Sequence, residues 1–79
     1  MDVKLSTILS SVFGVQASEI SASLTKADLQ SWDSLKQMDL VTTLEREYSI
    51  TLELMDIVSM TSVEAIMGVL RDKGVELES

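Results

Sequence analysis

The 79-residue chain contains no cysteine, no histidine and no proline. Without Cys it forms no disulfide, performs no thiolate chemistry and builds no Cys-based zinc site. Without His it lacks the usual acid/base of neutral pH and the commonest transition-metal ligand. Without Pro, nothing interrupts a helix from within. One Trp, one Tyr and one Phe are too few for a base-stacking platform. No apolar run approaches the length of a membrane span. The opening Met1-Asp2-Val3-Lys4 lacks the basic start of a signal peptide, and no continuous apolar stretch follows it. Basic residues are also scarce: Lys plus Arg is 6 against 13 Asp plus Glu, a formal net charge of −7. That balance argues against nucleic acid and anionic membrane as partners and fits basic proteins instead. A self-contained enzyme would have only Ser, Asp, Glu, Lys and Tyr to work with, so no catalytic residue is expected. A cytoplasmic monomer is the default expectation.

Hydrophobic residues make up 46%, enough to bury a core, so a single domain over residues 1–79 is expected. Leu5, Ile8, Leu9 and Val12 recur at three and four residues, which predicts a helix from about Val3 to Phe13, closed by Gly14. Residues 14–33 follow neither period. They read as a long ordered loop held to the core by Ile20, Leu24 and Leu29, and loops of that length are often functional. A second helix fits Ser34 to about Tyr48, with Asp33 as N-cap and Leu40, Val41, Leu44 and Tyr48 as its core stripe. Tyr48, Ile50, Leu52 and Leu54 alternate like a strand, but no second segment pairs with them. An extended connection and a short helix near Glu53 to Ser59 is the better reading. Thr61 to Glu64 matches a capping box ahead of a last helix whose apolar face is Val63, Ile66, Met67 and Leu70. Arg71 and Lys73 suit the negative end of its dipole, and Gly74 closes it. Val75 to Ser79 reads as a frayed tail. The expected fold is all-α: a small four-helix bundle, three main helices plus one short one, with a long loop between the first and second. Met38, Met55, Met60 and Met67 either fill the core or line an adaptable apolar cavity.

The stretch Ser31-Trp32-Asp33-Ser34-Leu35 stands where the long loop enters the second helix. A serine there lies beside the free N–H groups of a helix N-terminus, which suits a phosphate. Ser and Asp are also ordinary helix-start residues, so three letters alone decide nothing. Unrolling the second helix at about 100° per residue puts Leu35, Met38 and Thr42 opposite the core stripe, with Asp39, Glu45 and Arg46 around them. Apolar residues grouped in solvent suggest a docking surface. Glu45 and Glu47 stand at the helix end where the dipole disfavours negative charge, which fits either selection for a basic partner or a merely solvated face.

At these residues the chain resembles the acyl carrier protein family. The shared pattern runs from about Leu5 to Lys73. It includes the loop with Leu24 and Leu29, then Trp32-Asp33-Ser34-Leu35. Leu40, Leu44, Glu45, Glu47 and Tyr48 follow, then Ile50 and Leu52, then Met60-Thr61-Ser62-Val63 and Ile66. The resemblance implies that Ser34 is the attachment point of 4′-phosphopantetheine, joined by a phosphopantetheinyl transferase that uses coenzyme A and magnesium. It implies that Asp33 helps position the serine and meets the transferase's metal site. It makes Leu35, Met38, Asp39, Thr42, Glu45 and Glu47 the recognition surface for acyl-loading and acyl-processing enzymes. It also implies an interior between the second and third helices that can shelter an acyl chain. Lys36, Arg46 and the apolar Leu54-Met55-Asp56-Ile57-Val58 depart from the fatty-acid synthesis members, and Trp32 looks more like carriers of specialised pathways such as polyketide biosynthesis. An aminoacyl or peptidyl type of carrier is the neighbouring possibility, although the glycines usual before its serine are missing. From the residues alone, an unmodified acidic adaptor binding a basic protein through the second helix also remains open.

Overall fold

Four helices account for most of the chain: α1 (Val3–Phe13), α2 (Ser34–Tyr48), α3 (Leu54–Ser59) and α4 (Val63–Asp72). The computed structural model describes residues 1–78, and among these there is no β-strand. The alternation from Tyr48 to Leu54 is therefore an extended connection. It buries Leu52 and half-buries Ile50 without pairing. One hydrophobic cluster joins α1, α2 and α4 through Leu5, Leu9, Leu40, Leu44, Ile66 and Leu70, all fully buried.

The ends of the helices follow from local chemistry. Asp2 caps α1, accepting the Leu5 N–H at 2.9 Å. Gly14 ends α1 in the left-handed region at φ 67°, where a residue without Cβ carries no steric cost. Ser49 takes the same conformation after α2, at φ 54°. Glu53 and Asp56 form a reciprocal capping box that starts α3.

Residues 14–33 are more regular than expected. They hold two 3-10 turns, Ala17–Glu19 and Lys26–Asp28, each with its own side-chain cap. Beyond Ile20, Leu24 and Leu29, the segment is anchored by Trp32, which is buried against Phe13 with ring centroids 4.6 Å apart. It also bonds to the start of α4: Lys26 N–H to the Thr61 carbonyl at 2.8 Å, and Val63 N–H to the Leu24 carbonyl at 2.9 Å. This crossing corrects the expected capping box. The Thr61 carbonyl is engaged by the loop, so α4 starts one residue later. Ser62 is the N-cap, its hydroxyl accepting the Ala65 N–H at 3.0 Å.

Two further expectations are revised. The tail does not fray over Val75–Glu78: Val75 and Leu77 are half-buried on the core, and the Glu78 N–H donates to Asp2 at 3.1 Å. Ser79 lies outside the described residues. Of Met38, Met55, Met60 and Met67, only Met60 and Met67 are in the core. Met38 on α2 and Met55 on α3 point outward, because each stands on the side of its helix away from the cluster.

Asp2 thus holds two backbone N–H groups, and those bonds, from Leu5 first and then Glu78, keep its carboxyl below the usual carboxylate range. A carboxyl depressed in the fold contributes stability above its unfolded pKa, about 3.9, and loses it as pH falls through the lower folded value. The melting temperature of the wild type should therefore fall further on acidification below about pH 4 than that of Asp2→Asn. Parallel curves would exclude Asp2 from the acid transition.

Candidate functional site

Ser34 is the first residue of the 15-residue α2 and its side chain is exposed. Asp33 places it there. Its backbone is extended (φ −105°, ψ −172°), its carboxylate accepts the Lys36 N–H at 2.9 Å, and its carbonyl accepts the Gln37 N–H at 2.8 Å. The chain therefore turns sharply from loop to helix at the serine. The N–H groups of Ser34 and Leu35 belong to the first turn and have no intrahelical acceptor. Among the described residues no hydrogen bond occupies the Ser34 hydroxyl. A phosphodiester on that oxygen would meet free N–H donors and the positive end of the dipole, so the residues present fit such a group. Among the described residues there is no cluster of three or more metal-ligating side chains.

The six residues expected on the recognition surface do not share one environment. Leu35 (82% exposed) and Met38 (55% exposed) stand in solvent, with Asp39 and Thr42 beside them. The Thr42 hydroxyl donates to the Met38 carbonyl at 3.0 Å. Glu45 is half-buried, and its carboxylate accepts the Leu52 N–H at 2.8 Å, pinning the connection to α3. Glu47 lies on the flank of α2 that faces α1. Its carbonyl accepts the Lys4 ammonium at 2.9 Å, and its carboxylate is 3.5 Å from Arg46 Nε. Arg46 shares the open side with Leu35, Asp39 and Thr42. An open cleft of about 270 Å³ between α1 and α2, lined by Ile8, Val12, Thr43 and Glu47 among others, lies toward the far end of α2 from Ser34.

Sequence reasoning missed Gln37. Among the described residues it is the one polar residue that is buried, and it ties three elements together. Its carbonyl oxygen accepts the Trp32 Nε1–H at 2.6 Å, and its amide nitrogen donates to the carbonyls of Ile57 and Met60 at 3.1 and 3.2 Å. The loop before the serine, the first turn of α2 and the end of α3 meet on this one carboxamide. A signal was present: Gln37 lies three and four residues before Leu40 and Val41, on the core stripe itself. Each polar group left unpaired there costs about 1–3 kcal/mol. A second tie is the pair between Lys73 and Asp56 at 2.9 Å, which joins α4 to α3; the contact lowers the Asp56 pKa after the Glu53 N–H bond and raises that of Lys73.

Residues 3–70 match a family model described as a phosphopantetheine attachment site. Among solved structures, the solution NMR structure of a holo acyl carrier protein from Geobacter metallireducens is similar. It is 26% identical, with a TM-score of 0.79, covering 89% of this chain and 80% of that one. No curated protein matches the chain.

Proposed function

Since the chain belongs to the phosphopantetheine-attachment family of acyl carrier proteins, a family of non-catalytic carriers bearing covalent 4′-phosphopantetheine, we propose that Ser34 is its attachment residue. The observation that carries this reading is the exposed, unbonded Ser34 hydroxyl at the capped N-terminus of α2. Loading would form the Ser34 Oγ–phosphorus bond as the pyrophosphate bond of coenzyme A breaks. Adenosine 3′,5′-bisphosphate leaves, and the serine proton passes to the transferase. The arm supplies the thiol this Cys-free chain lacks, on which acyl groups are held as thioesters. The chain's own residues do the rest. Asp33 fixes the first turn, the free N–H groups of Ser34 and Leu35 would serve the phosphodiester, and Gln37 holds the loop to α3.

The test is intact mass before and after incubation with coenzyme A, magnesium and a broad-specificity phosphopantetheinyl transferase. A gain of one phosphopantetheine is expected. No gain on folded, initially unmodified protein would leave an acidic helical adaptor as the better reading.

The partner surface proposed is Leu35, Met38, Asp39 and Thr42 on the open side of α2, flanked by Glu45 and Glu47. The partners are the transferase and acyl-loading and acyl-processing enzymes, met by a monomer of one domain in the cytoplasm. Lys36, Arg46 and the apolar α3 favour a specialised pathway, of the polyketide or modified-acyl kind, over bulk fatty-acid synthesis. Exposed ion pairs contribute about 0.2–1 kcal/mol each and are screened by salt. Two such pairs, from the exposed Asp39 and Glu47 to a basic enzyme surface, amount to roughly fivefold in affinity. Titration calorimetry against the transferase at about 50 mM and about 500 mM salt should show that loss. Equal affinities would rule out an electrostatic docking face.

A further inference from the structure

Ser34 and Glu45 lie on nearly the same line along α2, and Glu45 bonds the Leu52 N–H in the connection to α3. Ser34 therefore looks out along the α2–α3 side of the molecule. An acyl group tethered there either enters the seam between α2 and α3 or stays outside it. A buried carboxamide lies across that seam. Gln37, one turn from Ser34, crosses it with two hydrogen bonds, to the Ile57 and Met60 carbonyls, and is held from the loop side by a third, from Trp32 Nε1–H. Behind the carboxamide, Leu40, Leu44, Met60, Val63 and Ile66 are fully buried against one another. A hydrocarbon chain entering here must part the two bonds to the end of α3. It offers no donor to the Ile57 and Met60 carbonyls, so each is left unpaired in a dry environment. Outside the seam nothing has to be broken.

We propose, building on the reading of Ser34 as the attachment residue, that Gln37 is a specificity-determining residue that shuts the α2–α3 seam to hydrocarbon chains. The cargo class is then short or polar acyl groups carried outside the fold, not a long alkyl chain stored within it. This runs against the shelter between the second and third helices that the family resemblance implies.

The test loads the protein with octanoyl-phosphopantetheine, confirms one adduct by mass, and follows two properties. Cleavage of the thioester by hydroxylamine should proceed within about twofold of the rate for free octanoyl-pantetheine, because nothing covers the bond. The melting temperature should equal that of the unacylated form, since a chain bound only in the native state would raise it. A rate about tenfold slower than the free thioester, or a raised melting temperature, would overturn the proposal. Gln37→Met keeps the length of the side chain and removes its hydrogen bonds. In that protein, or in Gln37→Val, cleavage should slow by about fivefold or more. Unchanged rates in a folded variant would take the role from Gln37, and if both variants unfold, the wild-type rate still decides whether the seam is shut. Ser34→Cys, the only thiol in the chain, alkylated with N-octyl or N-methyl maleimide, repeats the melting comparison without a transferase. Equal melting temperatures are expected, and a higher one for the octyl adduct would overturn the exclusion. Failure to load with a closed seam on the cysteine adduct would count against Ser34 as the attachment residue and leave Gln37's role standing.

Discussion

Ser34→Ala should abolish phosphopantetheine loading outright while leaving the fold in place. The hydroxyl is the only atom at the site that can form the phosphodiester bond, so the effect is all or nothing. Its removal should be nearly silent in stability. The side chain is exposed and among the described residues bonds to nothing, while the cap at this helix is Asp33, which the substitution leaves intact. Ala is also the best helix former, so a change within about 0.5 kcal/mol is expected. Mass spectrometry reads the first effect and thermal melting the second. Full loading of the alanine variant would move the site to another serine or threonine. Loss of loading together with loss of fold would show that Ser34 matters structurally in a way its exposure does not suggest. The same variant separates carrier from adaptor: an adaptor that binds through Leu35 and Met38 should keep its partner when Ser34 is Ala, and lose it on Met38→Glu.

Trp32→Ala should be the most destabilising single change considered. The indole is buried, stacks on Phe13 at 4.6 Å and donates to Gln37. Truncating a buried Trp costs about 3–5 kcal/mol. A domain of this size is stable by only about 4–12 kcal/mol. The melting temperature should therefore drop by about 15 °C or more. Trp32→Phe separates the two contributions. It keeps most of the apolar area but leaves the Gln37 carbonyl oxygen without its donor, for a loss of about 1–3 kcal/mol. A loss below about 1 kcal/mol for Trp32→Ala, seen by melting or denaturant titration, would mean the loop is not held by this residue. Loading should suffer in proportion to the unfolded fraction, because Trp32 anchors the chain immediately before Asp33 and Ser34.

Much of this architecture is legible in the sequence because it is written locally. The stripe Leu5, Ile8, Leu9, Val12 needs only its own spacing to define α1. Asp33 caps α2 from the adjacent position, and the short α3 begins at a box made within four residues. The readings that needed revision depend on contacts between distant segments. Thr61 carries a sound capping motif, and nothing within its own turn reveals that the Lys26 N–H will engage its carbonyl and shift the N-cap to Ser62. Glu45 looks like a solvent-facing charge until Leu52, seven residues on, turns back to it. Gln37 was hidden by its polarity: on an apolar stripe a carboxamide reads as a break, and here it joins three elements. The tail hid in the same way, since Val75 and Leu77 alternate with Gly74, Glu76 and Glu78 over too few residues to show a period.

The bond from Glu78 to Asp2 has a geometric consequence. It sets both ends of the described chain beside the first turn of α1, where Lys4 in turn holds the Glu47 carbonyl at the last turn of α2. Ser34 opens the first turn of that same helix, about 20 Å away along its axis. The molecule is thus moored at one pole and presents Ser34 at the other. A fluorophore, a surface tether or a host protein joined at residues 2 or 78 leaves the serine pole open to enzymes. Linking the two ends through a short spacer and cutting the chain at an exposed turn such as Ala17–Glu19 is a feasible permutation of this domain.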